Sequence, residues 1–288
     1  MSEYENLISR TLESGIEPLS LSYEPIKQFS SDKEYVRVTM TVNSLELGVL
    51  GLDEYRFVAR RSTQGDRLIK RQLEKTFLAI PEKLKENPSI AAFILPVYGR
   101  MIKNRTLHSI IFETMVKYPE VSPDKICVEI SSDILYEDLE DLAEEIKSIK
   151  GLGVRLAVGE VGDPFCPLMR LSKLPFDMAL VTSEIYEELE NDNEEVVGGL
   201  TKILHSMGMS VHLQKVPDEI DLALIEKLEF DGYSLKNPVE EVPEEDEFSQ
   251  YAEQEEPDKA EEIELETEST EIASDEASEP EDPSESEG

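Results

Sequence analysis

Residues 126–159, ICVEISSDILYEDLEDLAEEIKSIKGLGVRLAVG, contain two apolar runs on either side of an amphipathic segment. The runs at Ile126–Ser131 and Val154–Gly159 have the length and composition of buried strands. Between them, Glu137–Lys150 places apolar residues at helical spacing. A strand, a helix and a second strand in this order predict two parallel strands joined by a right-handed crossover.

The same alternation continues on both sides of this unit. Further strands are predicted at Ala91–Val97, Met178–Thr182, Ser210–Lys215 and Tyr233–Leu235, and further helices near Asp66–Leu84, Leu107–Tyr118, Pro167–Leu174, Glu187–Met207 and Asp218–Leu228. Upstream, the strand-like runs Leu19–Ile26 and Tyr35–Val42 flank turn residues and predict a β-hairpin.

Eight strands in total predict an α/β fold, a TIM-like (β/α)8 barrel with an initial β-hairpin. An open, doubly wound parallel sheet is the alternative. That alternative is disfavoured because no glycine-rich phosphate-binding fingerprint follows the first strand.

Acidic residues are concentrated at the carboxyl end of the chain. The sequence has 64 Asp and Glu against 28 Lys and Arg, for a formal net charge of −36, and Lys259 is the only base after residue 239. A segment with so much like charge and so few apolar residues cannot bury enough surface to offset its ordering entropy. We therefore expect one folded domain over residues 1–238 and a disordered acidic tail over residues 239–288.

Composition also argues against several partners and sites. The excess of acids disfavours nucleic acid, and no run reaches the ~18 apolar residues of a membrane span. Cys127 and Cys166 are the only cysteines, which supports neither a disulfide framework nor a zinc site. We expect a cytoplasmic protein without a cofactor or membrane contact. The one basic stretch, Arg60 to Lys75, is expected to be a solvated helix face.

Six short motifs resemble, in order and spacing, those of one known family. Tyr23-Glu24-Pro25-Ile26 is similar to its YQPI strand, and Asp231-Gly232-Tyr233 to its QGY ending. Between them, residues 45–55, 128–131, 151–157 and 174–177 resemble its PELG…DEF, LEIT, LGVRLALDDFG and LPVD motifs. The family is the EAL domain, whose active members hydrolyse the bacterial second messenger cyclic di-GMP on a (β/α)8-like barrel with divalent metal ions. The resemblance spans about residues 6–238 and implies that fold here.

The residues at the family's functional positions differ in this chain. Counting from Leu45 places the signature glutamate on Arg37, and counting from Tyr23 places it on Val38; the two-residue strand period groups Arg37 with Thr39 and Thr41 and favours Arg37. The resemblance assigns a phosphate-binding arginine to Thr41, paired aspartates to Gly159 and Glu160, a lysine to Leu180, a glutamate to Gln214 and a glutamine to Asp231. Only Glu129 clearly stands where a metal-ligating acid is expected. These positions are interpreted as a vestigial site with no catalytic residue and no bound metal.

The substitutions bear directly on metal binding. Mg²⁺ requires several hard oxygen ligands, and a two-metal site shares carboxylates between its ions. At an effective dielectric constant of about 20, a divalent ion about 4 Å from the Arg37 guanidinium is repelled by roughly 8 kcal/mol. Hydrolysis of cyclic di-GMP is therefore not expected. Glu129 is instead interpreted as the partner of a buried base such as Arg37, and Glu160 as a solvated loop acid.

Three functions follow as hypotheses. The first is a catalytically inactive EAL-like signalling adaptor that binds a protein partner; binding of cyclic di-GMP without hydrolysis is possible in such a domain but not favoured here. The second is an active phosphodiesterase in which Glu129, Glu160 and Asp231 converge on a metal. The third is an unrelated barrel enzyme that uses His212, which shares a strand face with Gln214.

Overall fold

The structure is a computed structural model that describes residues 19–44, 47–61, 63–163, 166–191, 193–217 and 219–236. The predicted acidic tail, residues 239–288, lies outside the described residues, and the boundary at residue 238 stays a prediction. Residues 45 and 46, part of one family-like motif, also lie outside them.

Nine strands and nine helices alternate along the described residues. The strands are β1 Leu19–Gln28, β2 Glu34–Ser44, β3 Gly48–Leu50, β4 Ile90–Val97, β5 Ile126–Ser131, β6 Arg155–Val161, β7 Met178–Val181, β8 Ser210–Val216 and β9 Gly232–Leu235. The helices are α1 Leu52–Arg61, α2 Thr63–Glu86, α3 Gly99–Lys103, α4 Leu107–Lys117, α5 Leu139–Lys150, α6 Leu168–Leu171, α7 Tyr186–Glu190, α8 Glu194–Ser206 and α9 Leu222–Lys227.

Eight of the strands close into a barrel in the order β1-β9-β8-β7-β6-β5-β4-β2, and β2 pairs back with β1. Strand β1 runs antiparallel to both of its neighbours, whereas β2, β4 and the later strands pair in parallel. The short β3 pairs with the last three residues of β2 and lies outside the closed barrel. The predicted TIM-like barrel and its initial hairpin are confirmed.

Helix α5 shows how the sequence produces these elements. The Asp138 carboxylate accepts hydrogen bonds from the backbone N–H groups of Glu140 and Asp141 at 2.9 and 3.1 Å, which caps the helix. Leu142, Ile146 and Ile149 recur at helical spacing and are buried. The helix therefore packs one apolar stripe on the barrel, whereas Glu140, Asp141 and Glu144 are exposed.

Several predicted boundaries were wrong. The helix predicted over Glu187–Met207 is two helices, one ending at Glu190 and the next beginning at Glu194, and the Asn193 N–H donates to the Glu188 carbonyl at 2.9 Å. Asn and Asp favour helix ends over helix interiors. Strand β3 and helices α1 and α3 had not been predicted. Helix α1 had a detectable signal, since the Glu54 carboxylate accepts the Gly51 N–H at 2.6 Å, half of a capping box.

Two apolar layers hold the barrel together. On β2, Val36, Val38 and Met40 point outward and are buried beneath the helices, whereas the alternate residues point into the barrel. The inner layer is a separate small cluster made of Ile26, Ile94, Cys127, Ala157, Met178 and Leu180, against which Tyr35 packs. The barrel interior is thus apolar at mid-height and can carry polar side chains only towards its ends.

Candidate functional site

Two β-bulges shape the carboxyl-terminal mouth of the barrel. The pairing of β6 with β7 shifts register between Val158 and Val161, and the pairing of β8 with β9 shifts in the same way. Glu160 and Lys215 lie inside these interruptions with φ values of 58° and 56°. Non-glycine residues rarely adopt this left-handed conformation, and such strain clusters at functional sites. The two bulges therefore identify this mouth as the candidate site.

An ion-pair cluster fills the barrel near this mouth. Arg37 on β2 donates from Nε to Glu129 Oε2 at 2.6 Å and from Nη2 to Glu129 Oε1 at 3.0 Å. Its Nη1 also lies 3.6 Å from Oε2 of Glu24 on β1. Only 12% of the Arg37 side chain and 7% of the Glu129 side chain are exposed. The predicted pairing of Glu129 with a buried base is confirmed, and the guanidinium lies between two carboxylates.

Glu24 is the site residue that sequence reasoning missed. It lies directly opposite Arg37 in the β1–β2 ladder, and opposed residues on antiparallel strands share a face, so the predicted hairpin could have revealed it. The Ser234 hydroxyl donates to Glu24 Oε1 at 2.5 Å and accepts the Lys215 N–H at 3.0 Å. We call Glu24, Arg37, Glu129 and Ser234 the mouth cluster.

Gly159 has no side chain, and this leaves space for the Glu129 carboxylate of the mouth cluster. A Cβ atom built on Gly159 would lie 2.7 Å from Glu129 Oε1 and 3.2 Å from Glu129 Cγ. Both distances are shorter than ordinary van der Waals contact, so the Glu129 carboxylate occupies the space that a side chain at position 159 requires. The absence of a side chain at Gly159 and the Arg37–Glu129 pair are therefore structurally coupled.

Replacing Gly159 with alanine is expected to destabilise the protein by about 1–3 kcal/mol, because the Glu129 carboxylate must move off Arg37 to admit the new methyl group. The free energy of unfolding in urea measures the effect. The Gly159→Ala/Glu129→Ala double variant should lose less than the sum of the two single losses, because the clash disappears with the carboxylate. Additive losses would show that the two residues are not coupled.

Glu160 is also held by protein groups. Its Oε1 lies 2.8 Å from Nη1 of Arg56 on α1, its Oε2 accepts the Ser131 hydroxyl, and its carbonyl accepts the Ser132 hydroxyl at 3.5 Å. The side chain is 26% exposed. The interpretation of Glu160 as a solvated loop acid was wrong, because the bulge turns this carboxylate towards α1 and the end of β5.

Three further predicted positions are not members of the mouth cluster. Leu180 belongs to the inner apolar layer. The Thr41 hydroxyl donates to the Ser20 carbonyl at 3.4 Å, within the hairpin. Gln214 is buried, and its side-chain Nε2 has no hydrogen-bond partner among the described residues.

Asp231 lies at the opposite end of the barrel from the mouth cluster. It immediately precedes β9, where one carboxylate oxygen accepts the Val211 N–H at 2.7 Å and contacts His205 Nε2 at 2.9 Å. Asp177 holds the equivalent position before β7, where it accepts the Leu156 N–H at 2.9 Å. Asp231 therefore fixes neighbouring strands at their amino ends, and it does not converge with Glu129 and Glu160 as the substituted-ligand hypothesis requires.

His212 is enclosed near the amino end of the barrel. Its Nε2 lies 3.0 Å from the Ser210 hydroxyl and its Nδ1 lies 3.5 Å from Gln28 Nε2. Because an amide nitrogen can only donate, Nδ1 is the acceptor and Nε2 carries the proton. Burial lowers the pKa of the imidazole to about 4. This neutral tautomer cannot accept a proton from Ser210 as a catalytic histidine must.

The acids of the mouth already have cationic partners: Glu24 and Glu129 share Arg37, and Glu160 pairs with Arg56. Within the residues that the structure describes, no three His, Cys, Asp or Glu side chains form a group that could hold a metal ion.

Burial raises the pKa of the Cys166 thiol to about 11, so this thiol is not activated as a nucleophile. None of the helices in the described part of the chain is long and apolar enough to cross a membrane.

Comparison with known proteins shows similarity to one family over most of the chain. The EAL domain family model matches residues 6–234. The PaMucR phosphodiesterase in complex with c-di-GMP superposes with a TM-score of 0.72 at 12% identity, over 82% of this chain and 95% of that chain. The FimX EAL domain from Pseudomonas aeruginosa bound to c-di-GMP gives a TM-score of 0.69 at 14% identity, over 82% and 94%.

Among curated proteins, an uncharacterized signaling protein of Caulobacter vibrioides is 23% identical over 154 residues, which are 52% of this chain and 18% of that protein. The chain thus matches less than a fifth of that relative's length. The solved structures share the fold at low identity, and the family model covers most of the barrel. This chain belongs to the EAL domain family.

Proposed function

We propose that this chain is a catalytically inactive EAL domain that acts in the cytoplasm as a protein-binding adaptor in cyclic di-GMP signalling. The observation that carries the proposal is the position of Arg37 between Glu24 and Glu129. A cation at this point of the mouth would have to displace a guanidinium that is already paired with the two nearest carboxylates.

The repulsion between a divalent metal ion and the Arg37 guanidinium supports the proposal that the domain is inactive. At an effective dielectric constant of about 20, a divalent ion about 4 Å from a guanidinium experiences a repulsion of roughly 8 kcal/mol. Glu160 does not offset it, because this acid already binds Arg56. Magnesium also needs near-octahedral oxygen coordination, which acids already paired with Arg37 and Arg56 do not supply.

A non-hydrolysing cyclic di-GMP receptor is the second candidate. It is favoured by the neighbours PaMucR and FimX, whose structures contain this ligand. The mouth of this chain is less suited to an anionic ligand, because Glu24, Glu129 and Glu160 face it and the arginines that could bind phosphate are already in ion pairs with these acids. The inactive adaptor therefore remains the leading proposal.

The full chain incubated with cyclic di-GMP and Mg²⁺ or Mn²⁺ is expected to release no linear product above the buffer blank, because the mouth lacks a set of free carboxylates that could clamp two metal ions. Chromatography of the nucleotides measures this, with the PaMucR phosphodiesterase as the positive control. Turnover that depends on metal and is abolished by Glu129→Ala would refute the proposal in favour of substituted ligands.

A binding measurement on the same protein distinguishes a cyclic di-GMP receptor from the adaptor. Calorimetric titration with cyclic di-GMP in the absence of metal is expected to give no binding heat at micromolar protein. A dissociation constant in the low micromolar range, raised by Arg56→Ala but not by a substitution remote from the mouth such as Val196→Glu, would establish a receptor without hydrolysis.

A further inference from the structure

The outward face of α2 carries bases and an apolar side chain in one stripe. Arg71, Lys75 and Leu78 are spaced four and three residues apart, which places them above one another on the helix surface. Lys75 is exposed, and 66% of Leu78 is exposed. A leucine this exposed contributes little to the core and is available to a partner.

The neighbouring helix α4 presents a second apolar stripe. Phe112 and Val116 are one turn apart and are 51% and 64% exposed. The His108 ring stacks on Phe112 with ring centroids 6.5 Å apart and an interplanar angle of 5°. Phe112 and Val116 therefore expose apolar surface on α4.

Two ion pairs align these helices side by side. Lys70 Nζ lies 3.5 Å from Glu113 Oε2, and Lys117 Nζ lies 3.3 Å from Glu74 Oε1. From the first pair to the second, the residue numbers increase on both helices, from 70 to 74 on α2 and from 113 to 117 on α4, so the two helices run parallel. Leu78 follows Glu74 by one turn and Val116 adjoins Lys117, which places both apolar residues beside the second pair. We call Arg71, Lys75, Leu78, Phe112 and Val116 the basic-apolar face.

The charge of this face is opposite to that of the whole protein. Acids outnumber bases 64 to 28 in the chain, yet the three bases Lys70, Arg71 and Lys75 lie within two turns of α2. The acids that adjoin the face, Glu74 and Glu113, are already paired with lysines. The face therefore presents positive charge beside apolar surface.

From this complementarity we infer that the basic-apolar face binds an acidic amphipathic helix of a partner protein, with leucine-like side chains against Leu78, Phe112 and Val116 and carboxylates towards Arg71 and Lys75. Nucleic acid fits less well, since phosphate offers nothing to the apolar stripe and the net charge of −36 repels it. The inference supplies the partner chemistry of the proposed adaptor and rests on that function.

A fluorescent peptide of about 20 residues, long enough to sustain a helix, tests the inference when it carries leucine at helical spacing and glutamate on the other face. Fluorescence anisotropy with the full chain is expected to show saturable binding. Lys75→Glu and Val116→Glu should each weaken it roughly tenfold, through repulsion and through loss of apolar contact. A peptide with lysine in place of glutamate should not bind.

Val196→Glu on α8 is the matched control, because Val196 is 58% exposed on a helix surface elsewhere, and it should bind like the unaltered chain. Equal weakening in this variant, or no binding of the acidic peptide to any variant, would overturn the inference. Binding of duplex DNA or of vesicles containing phosphatidylglycerol that is lost in Lys75→Glu would also overturn it. Because no nucleotide is present, each outcome is independent of the hydrolysis assay that tests the inactive domain.

Discussion

Replacing Arg37 with alanine is expected to destabilise the barrel by about 3–5 kcal/mol, because the change leaves Glu129 as an uncompensated buried carboxylate. Glu129 is only 7% exposed, and Glu24, 17% exposed, loses the same partner. The free energy of unfolding from urea denaturation at neutral pH measures the loss. The effect concerns stability, so it is measurable whatever the domain binds.

Two variants serve as controls for this prediction. Arg56→Ala removes an arginine from the same mouth whose side chain is 32% exposed, and it should cost only about 1 kcal/mol or less. Arg37→Met/Glu129→Met removes the buried pair together and should cost less than Arg37→Ala alone, since only the more exposed Glu24 then loses its cation. A loss below about 1 kcal/mol for Arg37→Ala would show that water reaches Glu129 freely.

Replacing Gly232 with alanine is expected to cost about 3 kcal/mol, at the upper end of the usual range for over-packing. A Cβ atom at this position would lie 2.2 Å from the Lys27 carbonyl oxygen and 2.8 Å from His212 Nδ1. Gly232 pairs with Gln28 where β9 meets β1, so the obstacle is backbone that cannot rotate away. Separating the strands would open the barrel at its closure, and thermal unfolding measures the loss.

Gly199→Ala is the matched control for this substitution. A Cβ atom on Gly199, within α8, meets no heavy atom within 4 Å. Alanine there should stabilise the protein by about 0.5–1 kcal/mol, because glycine is the poorer helix former. If Gly232→Ala proved as stable as the unaltered chain, β1 and β9 would not approach as closely as the structure shows.

The residues of the mouth form one coupled arrangement. The Arg37 guanidinium pairs with the Glu24 and Glu129 carboxylates, and Gly159 leaves the space that Glu129 fills. An additional acid at Arg37 or Gly159 would be a charge without a partner. This interdependence is the physical reason to expect that no single substitution creates a metal site at the mouth.

The sequence predicted most of the fold because the signals that define its elements are local. The βαβ unit over residues 126–159 is confirmed, since strand and helix periods are expressed within a few residues. Strand β3 and helix α3 were missed because both are short, and short segments carry few periods. The register of the β1–β2 hairpin could also have been predicted from the sequence, and it would have placed Glu24 opposite Arg37.

The sequence by itself determined the barrel, the amphipathic helices and the presence of a base, Arg37, on an inward-facing strand position, because each depends on residue type at short spacing. Only the tertiary structure decided that Glu129 turns into the space above Gly159, that Arg56 reaches Glu160, and that Asp231 lies at the far end of the barrel. These contacts join residues distant in the chain, so they depend on strand register and on bulges that a linear pattern does not encode.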